Sequence, residues 1–120
     1  FSHAFQLFSN DFISSDTLEV SVSLDCGQSW QRVFYKGGRE LATNRPSTRA
    51  YFSPDKESDW KKDTIDLTPF KGITNLLVAF VNINGSDNLL YLDNIAVTDG
   101  AAIITRQPAS LLLPLSAASY

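Results

Sequence analysis

The stretch that most restricts the fold is Ser23-Leu24-Asp25-Cys26-Gly27-Gln28-Ser29-Trp30, which joins two strand-like runs, Thr17 to Leu24 and Trp30 to Lys36. A carboxylate at Asp25 accepts hydrogen bonds from turn amides, Gly27 tolerates a positive φ, and Trp30 can plug the turn onto a sheet. All three roles build a link between strands. The run before the octet alternates strictly, with Leu18, Val20, Val22 and Leu24 on one side and Thr17, Glu19, Ser21 and Ser23 on the other. That period of two predicts a strand with one core face and one wet face.

The rest of the chain reads in the same way. Ser2 to Phe8 alternates loosely before the turn Ser9-Asn10-Asp11. After the octet, Trp30, Arg32, Phe34 and Lys36 alternate with Gln31, Val33 and Tyr35, and Gly37-Gly38 turns the chain into a short run, Arg39 to Ala42. Thr43 to Asp59 has no period and reads as an irregular loop of about 17 residues, a length common in functional or mobile loops. Arg45, Arg49, Tyr51, Phe52 and Trp60 lie in or beside it as an aromatic and cationic surface, unless Tyr51 and Phe52 pin the loop to the sheet. Strand character resumes from Trp60 to Leu67, with Ile65 and Leu67 inward, and Thr68 to Gly72 closes it in a turn.

Leu76 to Ile83 is apolar on both faces, which predicts a central strand covered on both sides, or else a patch that docks a neighbouring domain. Asn84 to Asn88 reads as a hairpin turn leading to a last strand, Leu89 to Thr98. With 12% aromatic residues and no helical period, the expectation is an all-β domain over residues 1–99. Residues 100–120 shift to Ala, Ser, Leu and Pro and read as a linker or the start of a following domain. Phe1 to Phe8 resembles the inside of a strand, so the chain is expected to be a piece of something longer.

Several function classes fit poorly. A net charge of −3 with scattered basic residues lacks the concentrated positive surface that nucleic acid requires. No apolar run reaches the roughly 18 residues of a membrane span. One Cys and one His cannot build an ordinary zinc cage, and Cys26 reads as a packed turn residue. His3 has no sequence neighbour that would make it a catalytic base, and no Gly-x-Ser-x-Gly turn or phosphate loop is present. A glycosidase needs two carboxylates about 5 to 9.5 Å apart. Glu19 stands alone, and Asp63 and Asp66 fall on opposite faces of their expected strand. The expectation is no enzyme. Asp93, inside an apolar strand, requires either backbone donors or a cation such as calcium. Trp30, Tyr35, Tyr51 and Trp60 are the candidate stacking platforms for a sugar ring.

The octet matches the pattern called an Asp box. Together with Ser15 to Leu24, Trp60 to Leu67, Asn82-Ile83-Asn84-Gly85 and Tyr91-Leu92-Asp93-Asn94-Ile95, it resembles the jelly-roll modules of large secreted and cell-surface proteins of Bacteroidetes, similar to cleaved-adhesin and choice-of-anchor J domains. The single copy does not fit a multi-bladed propeller. The resemblance implies a jelly-roll β-sandwich that lacks its first strand or strands in this chain, exported by the type IX route. It implies a non-catalytic role in adhesion or interaction, accessory to a secreted peptidase in some relatives, with carbohydrate binding as the alternative. Partners would be other domains of the same polypeptide, surface proteins or glycans. Some relatives bind calcium at sandwich edges, which the resemblance carries to Asp93. Asp16-Thr17-Leu18 and Asp63-Thr64-Ile65 match the short O-glycan acceptor pattern of that phylum, marking Thr17 and Thr64.

Overall fold

The computed structural model describes residues 1–8, 15–44 and 49–98. Among these the chain is all-β, with two antiparallel three-stranded sheets. In one, β1 (Ser2–Ala4) lies between β4 (Lys61–Lys62) and β6 (Tyr91–Asp93); in the other, β2 (Thr17–Ser23) lies between β3 (Gln31–Gly37) and β5 (Leu77–Ile83). A single helical turn, α1 (Gly38–Leu41), follows β3, and 3-10 turns occupy Glu57–Asp59 and Thr68–Phe70.

The alternation of β2 sets the core. Leu18, Val20 and Val22 are at most 1% exposed, and Leu18 clusters with Phe5, Leu7 and Leu41. Phe1 joins the two sheets: its ring lies edge-on to Phe34 of β3 at 5.4 Å and to Phe80 of β5 at 5.1 Å. Such edge-to-face pairs add to the burial of the rings themselves. Leu90 and Leu92 pack against the same cluster, so both sheets contribute to one core.

Four expectations change. Leu24 falls outside β2 and is 46% exposed, because the octet has already turned the chain away. Ser21 and Ser23 are buried rather than wet: they are short side chains on a central strand, and Ser23 Oγ is committed to the turn that follows. The Leu76 to Ile83 run is an edge strand, paired only with β2 among the described residues, and Leu77, Val81 and Ile83 are each 40 to 44% exposed. Its apolar character on both faces does not reflect cover on both sides. Finally, Asn84 to Asn88 is no hairpin, since β5 pairs with β2 whereas β6 pairs with β1.

That turn carries the chain from one sheet to the other, and a buried carboxylate fixes it. Asp16 Oδ1 accepts the Gly85 amide at 2.7 Å and the Asp87 amide at 3.2 Å. The expected strands Trp60 to Leu67 and Leu89 to Thr98 shorten to β4 and β6: Asp66 closes a turn with Thr68 after β4, and β6 ends at Asp93 with Asn94 in positive φ. The expected turn at Ser9 to Asp11, the position of Arg45, and the boundary and tail from residue 99 onward lie outside the described residues.

Gly85 is required by close approach. A Cβ there would sit 2.1 Å from the Ser15 carbonyl oxygen, a backbone atom that cannot swing aside. Gly85→Ala is expected to cost about 3 kcal/mol by overpacking, read as a lower urea midpoint at unchanged m-value.

Candidate functional site

The octet is a closed hydrogen-bonded unit. Ser23 Oγ donates to Asp25 Oδ1 at 2.9 Å and accepts the Gly27 amide at 2.8 Å. Asp25 also accepts the Ser29 amide at 2.8 Å and the Ser29 hydroxyl on its other oxygen. Gly27 has φ +90°, and Cys26, exposed, also has positive φ. The Ser29 hydroxyl, then the Ser29 amide and Ser23, pull the Asp25 pKa from the ordinary 3.8 to about 2. Every carboxylate oxygen is used within the turn, so the unit builds scaffold. Trp30 lies beside Gly27 together with Leu77, yet remains 48% exposed. It flanks the turn instead of plugging it.

A bulge in β3 decides what the outer face of its sheet displays. Phe34 pairs with Val20 and Arg32 with Ser21, so Val33 has no partner on β2. One extra residue reverses the phase of a strand. Strict alternation would put Arg32 and Tyr35 on opposite faces; the bulge places both outward, and it turns Phe34 and Lys36 toward the core. The Arg32 guanidinium lies 4.0 Å from the centre of the Tyr35 ring, a cation–π contact. Its Nε donates to Glu19 at 2.8 Å, and Glu19 also accepts the Ser21 hydroxyl. Beside this polar strip runs the apolar column Leu77, Ala79, Val81 and Ile83, fixed outward by pairing with Ser23, Ser21, Glu19 and Thr17. Tyr35 is half exposed, but one ring face is occupied by Arg32.

Tyr51 is held outward by its neighbours. Buried Asn88 accepts the Phe52 amide at 3.0 Å and donates to the Ala50 carbonyl at 2.9 Å, gripping the backbone on both sides of residue 51. Phe52 is buried, stacks edge-on with Tyr91 at 6.0 Å, and its carbonyl accepts the Tyr91 hydroxyl. Thus Phe52 pins the loop, whereas Tyr51 is 92% exposed. Trp60 is half-buried next to β4. Among the four candidate platforms, Trp30 and Tyr35 belong to one sheet face and Tyr51 to the loop that Asn88 clamps.

The titratable groups are spoken for. His3 has no exposed surface; Nε2 donates to the Leu41 carbonyl at 2.8 Å, and Nδ1 is hydrogen-bonded to Asp63. Lys36 reaches the other Asp63 oxygen at 3.5 Å. A ring with both nitrogens engaged in the core has no free position for acid–base work. Asp59 is held below the usual carboxylate range, first by the Asp55 amide, and Asp66 by the hydroxyl and amide of Thr68. Asp66 therefore closes a turn.

Asp93 is exposed, not buried as its place in an apolar run suggests, and it accepts the next amide, that of Asn94, at 2.7 Å. The strand ends there with Asn94 in positive φ. No three His, Cys, Asp or Glu side chains among the described residues converge as a metal site. Thr64 is exposed, whereas Thr17 lies in the central strand, where a Cβ on Gly37 would come within 2.5 Å of its hydroxyl.

No family model, curated protein or solved structure matches this chain.

The acid behaviour of the octet follows from its bonding. Because the folded Asp25 pKa is depressed from 3.8 to about 2, its stabilising contribution is complete above 3.8 and is lost as pH falls toward 2. Asp59 and Asp66, also held low, share this acid limb. Carboxyl chemical shifts are expected to titrate Asp25 near 2, and Ser29→Ala to move that midpoint back toward 3.8. Asp25→Asn should flatten the loss of melting temperature across the same interval.

Proposed function

We propose that this domain is a non-catalytic interaction module of a larger secreted or cell-surface bacterial protein, adhesive or accessory to a secreted peptidase, on a jelly-roll sandwich. The observation that carries this reading is Tyr51. An aromatic ring at 92% exposure is normally a mobile surface residue, but here the backbone on both sides is fixed by one buried Asn88. Aromatic residues supply much of the energy at recognition surfaces, and fixing them beforehand lowers the entropic cost of binding. The enclosed bonding of His3, Asp25 and Asp63 supports a non-catalytic role. Partners would be surface proteins or other domains of the same polypeptide. Calcium, as in the relatives the resemblance implies, would bind at exposed Asp93.

A second reading, carbohydrate binding, draws on the outer sheet face, where half-exposed Trp30 stands on the same face as Tyr35. Trp30 offers the open stacking surface; at Tyr35 a sugar must use the ring face that Arg32 leaves free.

The test is retention of the purified domain on a glycan array and on a panel of extracellular-matrix proteins. The expected outcome is binding to a protein ligand that Tyr51→Ala weakens at least about tenfold and Asn88→Ala weakens less, with unchanged circular dichroism. Retention on glycans that Trp30→Ala abolishes and Tyr51→Ala spares would move the assignment to the second reading. Retention on neither class would defeat both.

A further inference from the structure

The two edges of the β3-β2-β5 sheet differ in a way that points to a partner. Edge strands are normally protected from pairing with other chains by charges, bulges or proline. The β3 edge is protected in two of these ways, by Arg32 and Lys36 and by the bulge at Val33. The β5 edge has none. Its seven residues, Leu-Val-Ala-Phe-Val-Asn-Ile, contain no charge and no proline, and its register with β2 runs unbroken from Ser23↔Leu77 to Thr17↔Ile83. No charged residue occurs from Gly72 to Ser86. Among the described residues nothing pairs with β5 on its other side.

We infer that β5 is a self-association edge, and that its occupant is the β5 strand of a second copy of this chain. An edge of this kind requires a strand that is uncharged and apolar on both faces, which is the composition of β5 itself. Antiparallel pairing about Phe80 uses all seven residues and keeps the faces matched. Leu77 meets Ile83 and Ala79 meets Val81 on the outer face, while Val78 meets Asn82 and Phe80 meets Phe80 on the core side. The two apolar columns, each now 40 to 44% exposed at Leu77, Val81 and Ile83, become one stripe. Charge favours the same line of contact. Each chain carries −3 overall, so two copies repel except along an uncharged seam, and the nearest outward charge, Glu19, is already paired with Arg32. The product is a continuous six-stranded sheet with the protected β3 edge at both ends, a closed two-fold arrangement.

A seven-residue strand covers only part of the roughly 800 Å² per partner found in stable complexes, so the dimer forms at micromolar concentration and above. This inference does not depend on the ligand reading above. Sedimentation velocity on the chain from about 5 to about 500 μM should show the mass rise toward twice 13.3 kDa. Val81→Lys puts a lysine opposite Ala79 on both sides of the axis and is expected to raise the dissociation constant at least about tenfold, as is Ala79→Glu. Mixing these two variants sets the introduced lysine of one chain against the introduced glutamate of the other across the seam and should restore a heterodimer, which ordinary loss of folding would not do. Circular dichroism of each variant separates loss of pairing from loss of fold. A single-chain mass at every concentration, undiminished dimerisation of Val81→Lys, or failure of two folded variants to pair would overturn the inference.

Discussion

One imidazole with no solvent exposure ties the architecture together. His3 lies in the middle of the short β1, and its two nitrogens reach Asp63, sixty residues on, and the carbonyl of Leu41 at the end of α1. A carbonyl oxygen only accepts, so Nε2 is the donor to Leu41, and Nδ1 is left to the carboxylate. Lys36 of β3 closes on the same carboxylate from the opposite sheet. Buried charge is tolerated when each member is paired and hydrogen-bonded, and breaking one member leaves the others exposed to the full desolvation penalty. Strands of two or three residues such as β1, β4 and β6 have little ladder of their own. This group and the Phe1 ring supply much of what holds that sheet against the other.

The longer sheet rests on different terms. Its central strand buries three aliphatic side chains on one side, and on the other it commits its short hydroxyls to local hydrogen bonds. Two carboxylates fix its ends: Asp16 at the start holds the crossing between sheets, and Asp25 just past the finish holds the octet. Both turns are therefore held by carboxylate side chains that accept backbone amides. The display surfaces sit on these fixed points, Trp30 beside the octet and Tyr51 on the Asn88 clamp.

The sequence was legible where the determining interaction was local. The octet, the alternation of β2 and the all-β class follow from neighbours within about eight residues. The pairing of His3 with Asp63 spans sixty positions and leaves no trace in spacing. Leu76 to Ile83 shows how composition can mislead: apolar residues on both faces say nothing about strand order, and among the described residues the strand lies at an edge. Asp93 misleads for a related reason, since its apolar neighbours do not bury it. The grip of Asn88 on Ala50 and Phe52 is equally hidden, although Asn88 itself reads as part of a turn.

The bulge at Val33 acts on the strand as an inserted base acts on a reading frame. Residues before it and after it are decoded onto faces by opposite rules, so a substitution at Arg32 and one at Phe34 act on different faces of the sheet despite their even spacing. Removing Val33 would abolish the bulge and leave Arg32, Phe34, Tyr35 and Lys36 alternating on the faces they now occupy, whereas pairing Val33 in a regular ladder would bring Phe34 to the surface and send Tyr35 inward. The surface composition of β3 is thus governed by where the extra residue is absorbed as much as by residue identity. Moving the bulge along the strand would change what the face presents without altering any of the side chains that form it.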